Sequence, residues 1–143
     1  MTRAGFLSLL LPLFSSDEKR LFDLVNRERA RQGVRPLAWD RKLANLARQH
    51  SSNMARENFF SHSDPVRGDL GRRLQTAGVQ YTACAENIYS QSGAGRDPLA
   101  AAVGGWMKSP GHRANLLSGK YRHSGIGVVR RNGECFVTQI FLG

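Results

Sequence analysis

The order of predicted elements places this chain in the α+β class, as a three-layer α-β-α sandwich around a small, largely antiparallel sheet. Helical apolar stripes gather in the first half and are not interleaved one for one with strands, which argues against a doubly wound parallel sheet. Near the end, Asn132-Gly133 separates two strand-like runs and marks a hairpin. The chain has 143 residues, 41% of them apolar, which suits one domain with one substantial core.

The elements follow in order. Ser15 with Glu18 three residues on forms a capping box, and Leu21, Leu24 and Val25 give the stripe of a first helix that stops at Gly33. Val34-Arg35-Pro36 is an extended turn. Asp40 caps a second helix, with Leu43, Leu46, Ala47 and Met54 on one face and His50 at the rim of the core; Asn58-Phe59-Phe60 ends it. Ser61-His62-Ser63-Asp64-Pro65 has loop composition. A short third helix spans about 69–77 and stops at Gly78. A strand covers 84–89, followed by a glycine-containing loop over 92–96. Asp97-Pro98 opens a fourth helix that must stop before Pro110. The hairpin strands lie at 126–130 and 135–141.

Composition sets the environment. Net charge is +10, which favours anionic surfaces: cell-wall polymer, lipid headgroup or nucleic acid. The basic residues are scattered, without a Lys/Arg block interleaved with aromatics, so a sequence-reading nucleic-acid site is not expected. Arg3 and the apolar run 5–14 resemble a secretory leader too short to span a bilayer. The reading is therefore a leader at 1–16, a domain at 17–143, and a secreted or periplasmic monomer. Cys84 and Cys135 lack metal or redox spacing. In an exported chain they are expected to form one disulfide; the alternative is two buried, unpaired thiols.

Three polar residues stand in unusual places. His62 follows an aromatic pair in a loop. Glu86 interrupts an apolar strand, where a carboxylate needs a partner. His112 follows Ser109-Pro110-Gly111, a turn able to aim one side chain. Imidazoles and a carboxylate in one cleft could bind a divalent ion or act as acid and base. Spacing alone does not bring the three together, and a single loop histidine is more often structural than functional.

Five ordered motifs then add a resemblance. Asn58-Phe59-Phe60-Ser61-His62, Ala85-Glu86-Asn87-Ile88, the run from Trp106-Met107-Lys108-Ser109-Pro110-Gly111-His112 to Arg113-Ala114-Asn115-Leu116-Leu117, and Val137-Thr138-Gln139-Ile140-Phe141 resemble successive motifs of the CAP superfamily. The opening residues, Asn26-Arg27-Glu28-Arg29 and Pro36-Leu37-Ala38-Trp39-Asp40, are also similar. That superfamily includes cysteine-rich secretory proteins, antigen 5 allergens and class-one pathogenesis-related proteins. The match spans about 17–143.

The resemblance implies an open cleft lined by His62, Glu86 and His112. Ser109 stands where animal and plant members carry a second acid. It implies a binding module for a lipid, glycan or other envelope ligand. A metal-dependent hydrolase or peptidase, and a structural envelope or spore protein, are the competing readings. No convincing nucleophile is present. No cofactor is required, but Zn²⁺ could bind modestly through His62 and His112. Trp106 is expected in the core, Asn87 on backbone groups, and Arg113 and Asn115 as braces of the loop after His112.

Overall fold

The computed structural model describes residues 15–143; the apolar run 5–14 lies outside them. Helix α1, Ser16–Arg31, opens on the expected capping box: Glu18 N–H donates to the Ser15 hydroxyl and Ser15 N–H to the Glu18 carboxylate. Glu18 is buried and does more than cap. It also accepts from Arg48 and from Val128 N–H, tying α1 to the second helix and to the sheet. A two-residue strand β1, Ala38–Trp39, leads into helix α2, Arg41–Glu57, capped by Asp40 and ended by Asn58 at φ 54°. Then come α3 (Leu70–Thr76), β2 (Cys84–Ser92), α4 (Pro98–Lys108), α5 (Pro110–Leu117), β3 (His123–Arg131) and β4 (Glu134–Leu142).

The sheet order is β1-β3-β4-β2. All pairings are antiparallel except β1 with β3, so the sheet is mixed. Strand alternation explains the three layers. Cys135, Val137 and Phe141 of β4 face a core shared with Leu21 and Val25 of α1 and with Leu99, Ala102 and Trp106 of α4. Phe136 and Ile140 face the other way, against Met54, Leu43 and Ala47 of α2 and Leu74 of α3. Trp106 is core, as expected, and its indole N–H donates to Ile88 O at 3.1 Å.

The opening motif has a structural explanation. The Asn26 side chain exchanges two hydrogen bonds with the Leu37 backbone. Arg29 is fully buried and donates to the carbonyls of Arg35, Leu116, Ser118 and Tyr121. These bonds fasten the chain after α5 to the end of α1, and the charge is stabilised by four carbonyl dipoles.

Two expectations are corrected. The segment from Pro110 to Leu117 is a helix rather than a turn, with Pro110 in its first turn where a missing N–H costs nothing. The two cysteines are not bonded to each other. Cys84 pairs in register with Leu142, whereas Cys135 pairs with Gln91. Seven residues along the strand set them roughly 23 Å apart. Cys84 packs with the α2–α3 core and Cys135 with the α1–α4 core, so they also face opposite sides. Burial pushes both thiols above the usual cysteine range. Two thiols per chain should therefore react with a thiol reagent in denaturant without reductant; a count of zero would contradict this register.

Candidate functional site

β2 is an edge strand, and two neighbouring residues on it organise the site from opposite faces. Glu86 points to the α2–α3 side. Its Oε1 accepts from His62 Nδ1 at 3.0 Å, and Arg73 of α3 holds both oxygens, at 2.8 and 3.1 Å. Glu86 and Arg73 are both buried. Burial pushes the Glu86 carboxyl up, but the bonds from His62 and Arg73 outweigh it and leave it below the usual glutamate range. Arg73 also donates to the backbone carbonyl of His62 at 2.8 Å and to Gly68 O, so it anchors the loop as well as the carboxylate. Asp64, buried in the same loop, accepts from the backbone N–H of Val66 and Arg67 and stiffens it.

Asn87 serves the other face. Its amide donates to His112 O at 3.1 Å, and Asn115 donates to its side-chain oxygen at 3.0 Å. The expected backbone role of Asn87 is thus seen, and it fixes the first turn of α5. His112 Nδ1 lies 2.8 Å from Ser109 Oγ. Burial, with a smaller contribution from the neighbouring His62, holds the His112 imidazole below its ordinary value and so neutral at pH 7. Arg113 reaches Met107 O at 3.4 Å, a weak brace.

His62, Glu86, Ser109 and His112 are therefore linked, two by two, through adjacent residues of one edge strand. Each histidine has Nδ1 engaged and no partner for Nε2 among the described residues. The His62 side chain is 54% exposed. Residues before β2 and residues after it thus supply one imidazole each.

Two residues of the site escaped the sequence reading. Arg73 carried no signal, being one cation in a chain with 21 Lys and Arg. His50 is not at a rim. It is 1% exposed, its Nε2–H donates to Ser61 O at 2.9 Å, and Nε2 lies 3.9 Å from Glu86. Its Nδ1 is buried without a partner. Burial lowers its affinity for a proton, so it stays neutral. Here a signal existed: His50 shares a face with Leu43, Ala47 and Met54, and a polar group in that stripe requires a polar neighbour.

Among the described residues no group of three or more His, Cys, Asp or Glu is placed to hold a divalent ion. Glu86 is neutralised by Arg73, which leaves two imidazole nitrogens and the Ser109 hydroxyl. A buried carboxylate orienting an imidazole through Nδ1 is the usual support of a histidine ligand.

Comparison with known proteins agrees with the fold. The model of the cysteine-rich secretory protein family, CAP, matches residues 22–141. YkwD of Bacillus subtilis, an uncharacterized protein, is 36% identical over 129 residues, covering 90% of this chain and 48% of that one. YlbC of the same organism, an uncharacterized membrane protein, is 38% identical over 128 residues, covering 90% and 35%. The crystal structure of an extracellular SCP-domain protein from Bacillus anthracis superposes with a TM-score of 0.75 at 39% identity, covering 88% of this chain and 40% of that one. The chain spans less than half the length of each.

Proposed function

The chain belongs to the CAP, or cysteine-rich secretory protein, family, and on that premise we propose that it is an exported ligand-binding module of the cell envelope whose receptor site is the His62–His112 cleft. The observation that carries the reading is the pair of imidazoles with Nδ1 engaged and Nε2 unpartnered. Export is supported by the apolar run 5–14 in the sequence, and by a similar protein described as extracellular. No helix among the described residues is long and apolar enough to cross a membrane.

The hydrolase reading is less well supported. Ser109 and His112 make a serine–imidazole contact, but the carboxylate that would orient a base belongs to His62. The parts of a proton relay are divided between two histidines, whereas catalysis needs them in series. The net charge of +10 favours anionic envelope material as the partner, whether lipid, glycan or polymer, with no sequence-specific nucleic acid and with the module acting as a monomer.

The test is co-sedimentation with purified bacterial envelopes. Wild type should sediment, and the His62→Ala/His112→Ala double variant should sediment less. Equal sedimentation of the two overturns the reading. Calorimetric titration tests the ion separately. Zn²⁺ should bind modestly, and neither single histidine variant should bind it. Ser109→Glu, which adds a carboxylate, should bind it more tightly. Affinity should fall as the pH is lowered, since protonation removes the imidazole lone pairs.

A further inference from the structure

A second recognition surface lies on α3, away from the two imidazoles. An open depression of about 920 Å³ is lined by Asp69, Gly71, Arg72, Gln75, Gln80 and Tyr81, with none of the cleft residues on its wall. Tyr81 is one of three large apolar side chains exposed among the described residues, at 41%. Its hydroxyl sits beside the Cys84 thiol, and an added Cβ at Gly71 would only touch that hydroxyl, at 3.4 Å. The stem of Arg72 rests on Gly68, where φ is +89° and a Cβ would meet Arg72 Cδ at 2.6 Å.

Three polar side chains of this depression are unspent. The guanidinium of Arg72 and the carboxamides of Gln75 and Gln80 make no hydrogen bond or ion pair among the described residues. An exposed aromatic ring flanked by planar donors and acceptors matches one ligand chemistry closely. A sugar ring has a C–H face that stacks on an aromatic ring, and a rim of hydroxyls that pair with carboxamides. The free guanidinium adds a fork for a carboxylate. A bilayer would instead meet several apolar side chains and several unpaired cations; here one ring and one cation stand among carboxamides, with the Asp69 carboxylate engaged in capping α3 through Arg72 N–H.

We propose that this face of α3 binds a saccharide carrying a carboxylate, with Tyr81 as the stacking platform, Gln75 and Gln80 as hydroxyl partners and Arg72 as the carboxylate contact. The site is independent of the cleft, and the experiment separates the two. ¹⁵N-labelled protein is titrated with a muramic-acid-containing disaccharide, with neutral di-N-acetylchitobiose, and with anionic phospholipid vesicles.

Shifts with the acidic disaccharide should concentrate at 69–81. Tyr81→Ala should weaken binding about tenfold, and Tyr81→Phe, which keeps the ring, should not. Arg72→Ala should reduce the acidic sugar to the affinity of the neutral one. His62→Ala and the exposed Arg122→Ala should leave binding unchanged. Shifts centred on His62 and His112 overturn the proposal. So does equal weakening by Arg72→Ala and Arg122→Ala, which would mark charge alone. Tighter association with the vesicles than with the sugar, lost in Arg72→Ala, assigns the face to lipid and overturns it as well. Spectra of Tyr81→Phe and Arg72→Ala confirm that each variant is folded before it is scored.

Discussion

Replacing Gly125 or Gly127 by alanine should unfold this protein. Both glycines lie on β3 under helix α2. A Cβ at Gly125 would sit 2.0 Å from Ala44 N, and one at Gly127 would sit 2.2 Å from Arg48 N. The obstacles are helix backbone, which cannot rotate aside as a side chain can. The helix would have to lift off the sheet. Lifting it breaks the bond from Ser51 Oγ to Gly127 O at 3.0 Å and the Ser51–Thr138 contact at 2.7 Å. It also opens the core that Leu43, Ala47 and Met54 share with Ile140 and Phe136. The penalty should exceed about 4 kcal/mol, close to the whole stability of a domain this size. Urea unfolding followed by circular dichroism checks it. Gly104→Ala is the control: it lies in α4, nothing stands within 4 Å of its added Cβ, and it should stabilise by up to about 1 kcal/mol. A Gly127→Ala variant with wild-type midpoint would disprove the close approach.

This contact shows what a sequence conveys and what it hides. The caps were legible because each is a local hydrogen bond: Ser15 with Glu18, Asp40 with Leu43 N, Asp97 with Leu99 N. The Asn132-Gly133 hairpin was legible for the same reason, since both residues take positive φ. Strand β1 was not, because two residues carry no period and Ala38–Trp39 is a strand only through pairing with His123 and Ser124. The disulfide expectation failed on register, which depends on how β2 and β4 align and not on either strand alone. The α5 helix was hidden behind Pro110, which ends one helix and begins the next. In the site, motif likeness supplied His62, Glu86 and His112. The residue that balances Glu86 came from a helix whose sequence looks like any basic surface turn.

Removing Arg73 should therefore destabilise the protein strongly. Arg73→Met takes away two bonds to Glu86, one to His62 O and one to Gly68 O, and leaves a 7% exposed carboxylate with one imidazole as its neighbour in hydrogen-bond range. Breaking a buried pair from one side costs about 3–5 kcal/mol, mostly the penalty of the stranded charge. The sign with pH follows from the direction of the shift. Burial raises the Glu86 carboxyl, its hydrogen bonds and the Arg73 charge lower it further, and the folded-state value lies below the unfolded one. The pair's contribution is thus fully present above the ordinary glutamate value, about 4.3, and is lost as pH falls through the depressed folded value. In Arg73→Met the balance tips toward burial, and the variant should recover part of its deficit in mild acid as Glu86 becomes neutral. The double variant Arg73→Met/Glu86→Gln should be more stable than Arg73→Met alone at pH 7, since no charge is left buried. Urea midpoints for the three proteins at pH 7 and pH 5 decide the matter. If Arg73→Met unfolds within about 0.5 kcal/mol of wild type at pH 7, the pair is not what holds the carboxylate beneath His62.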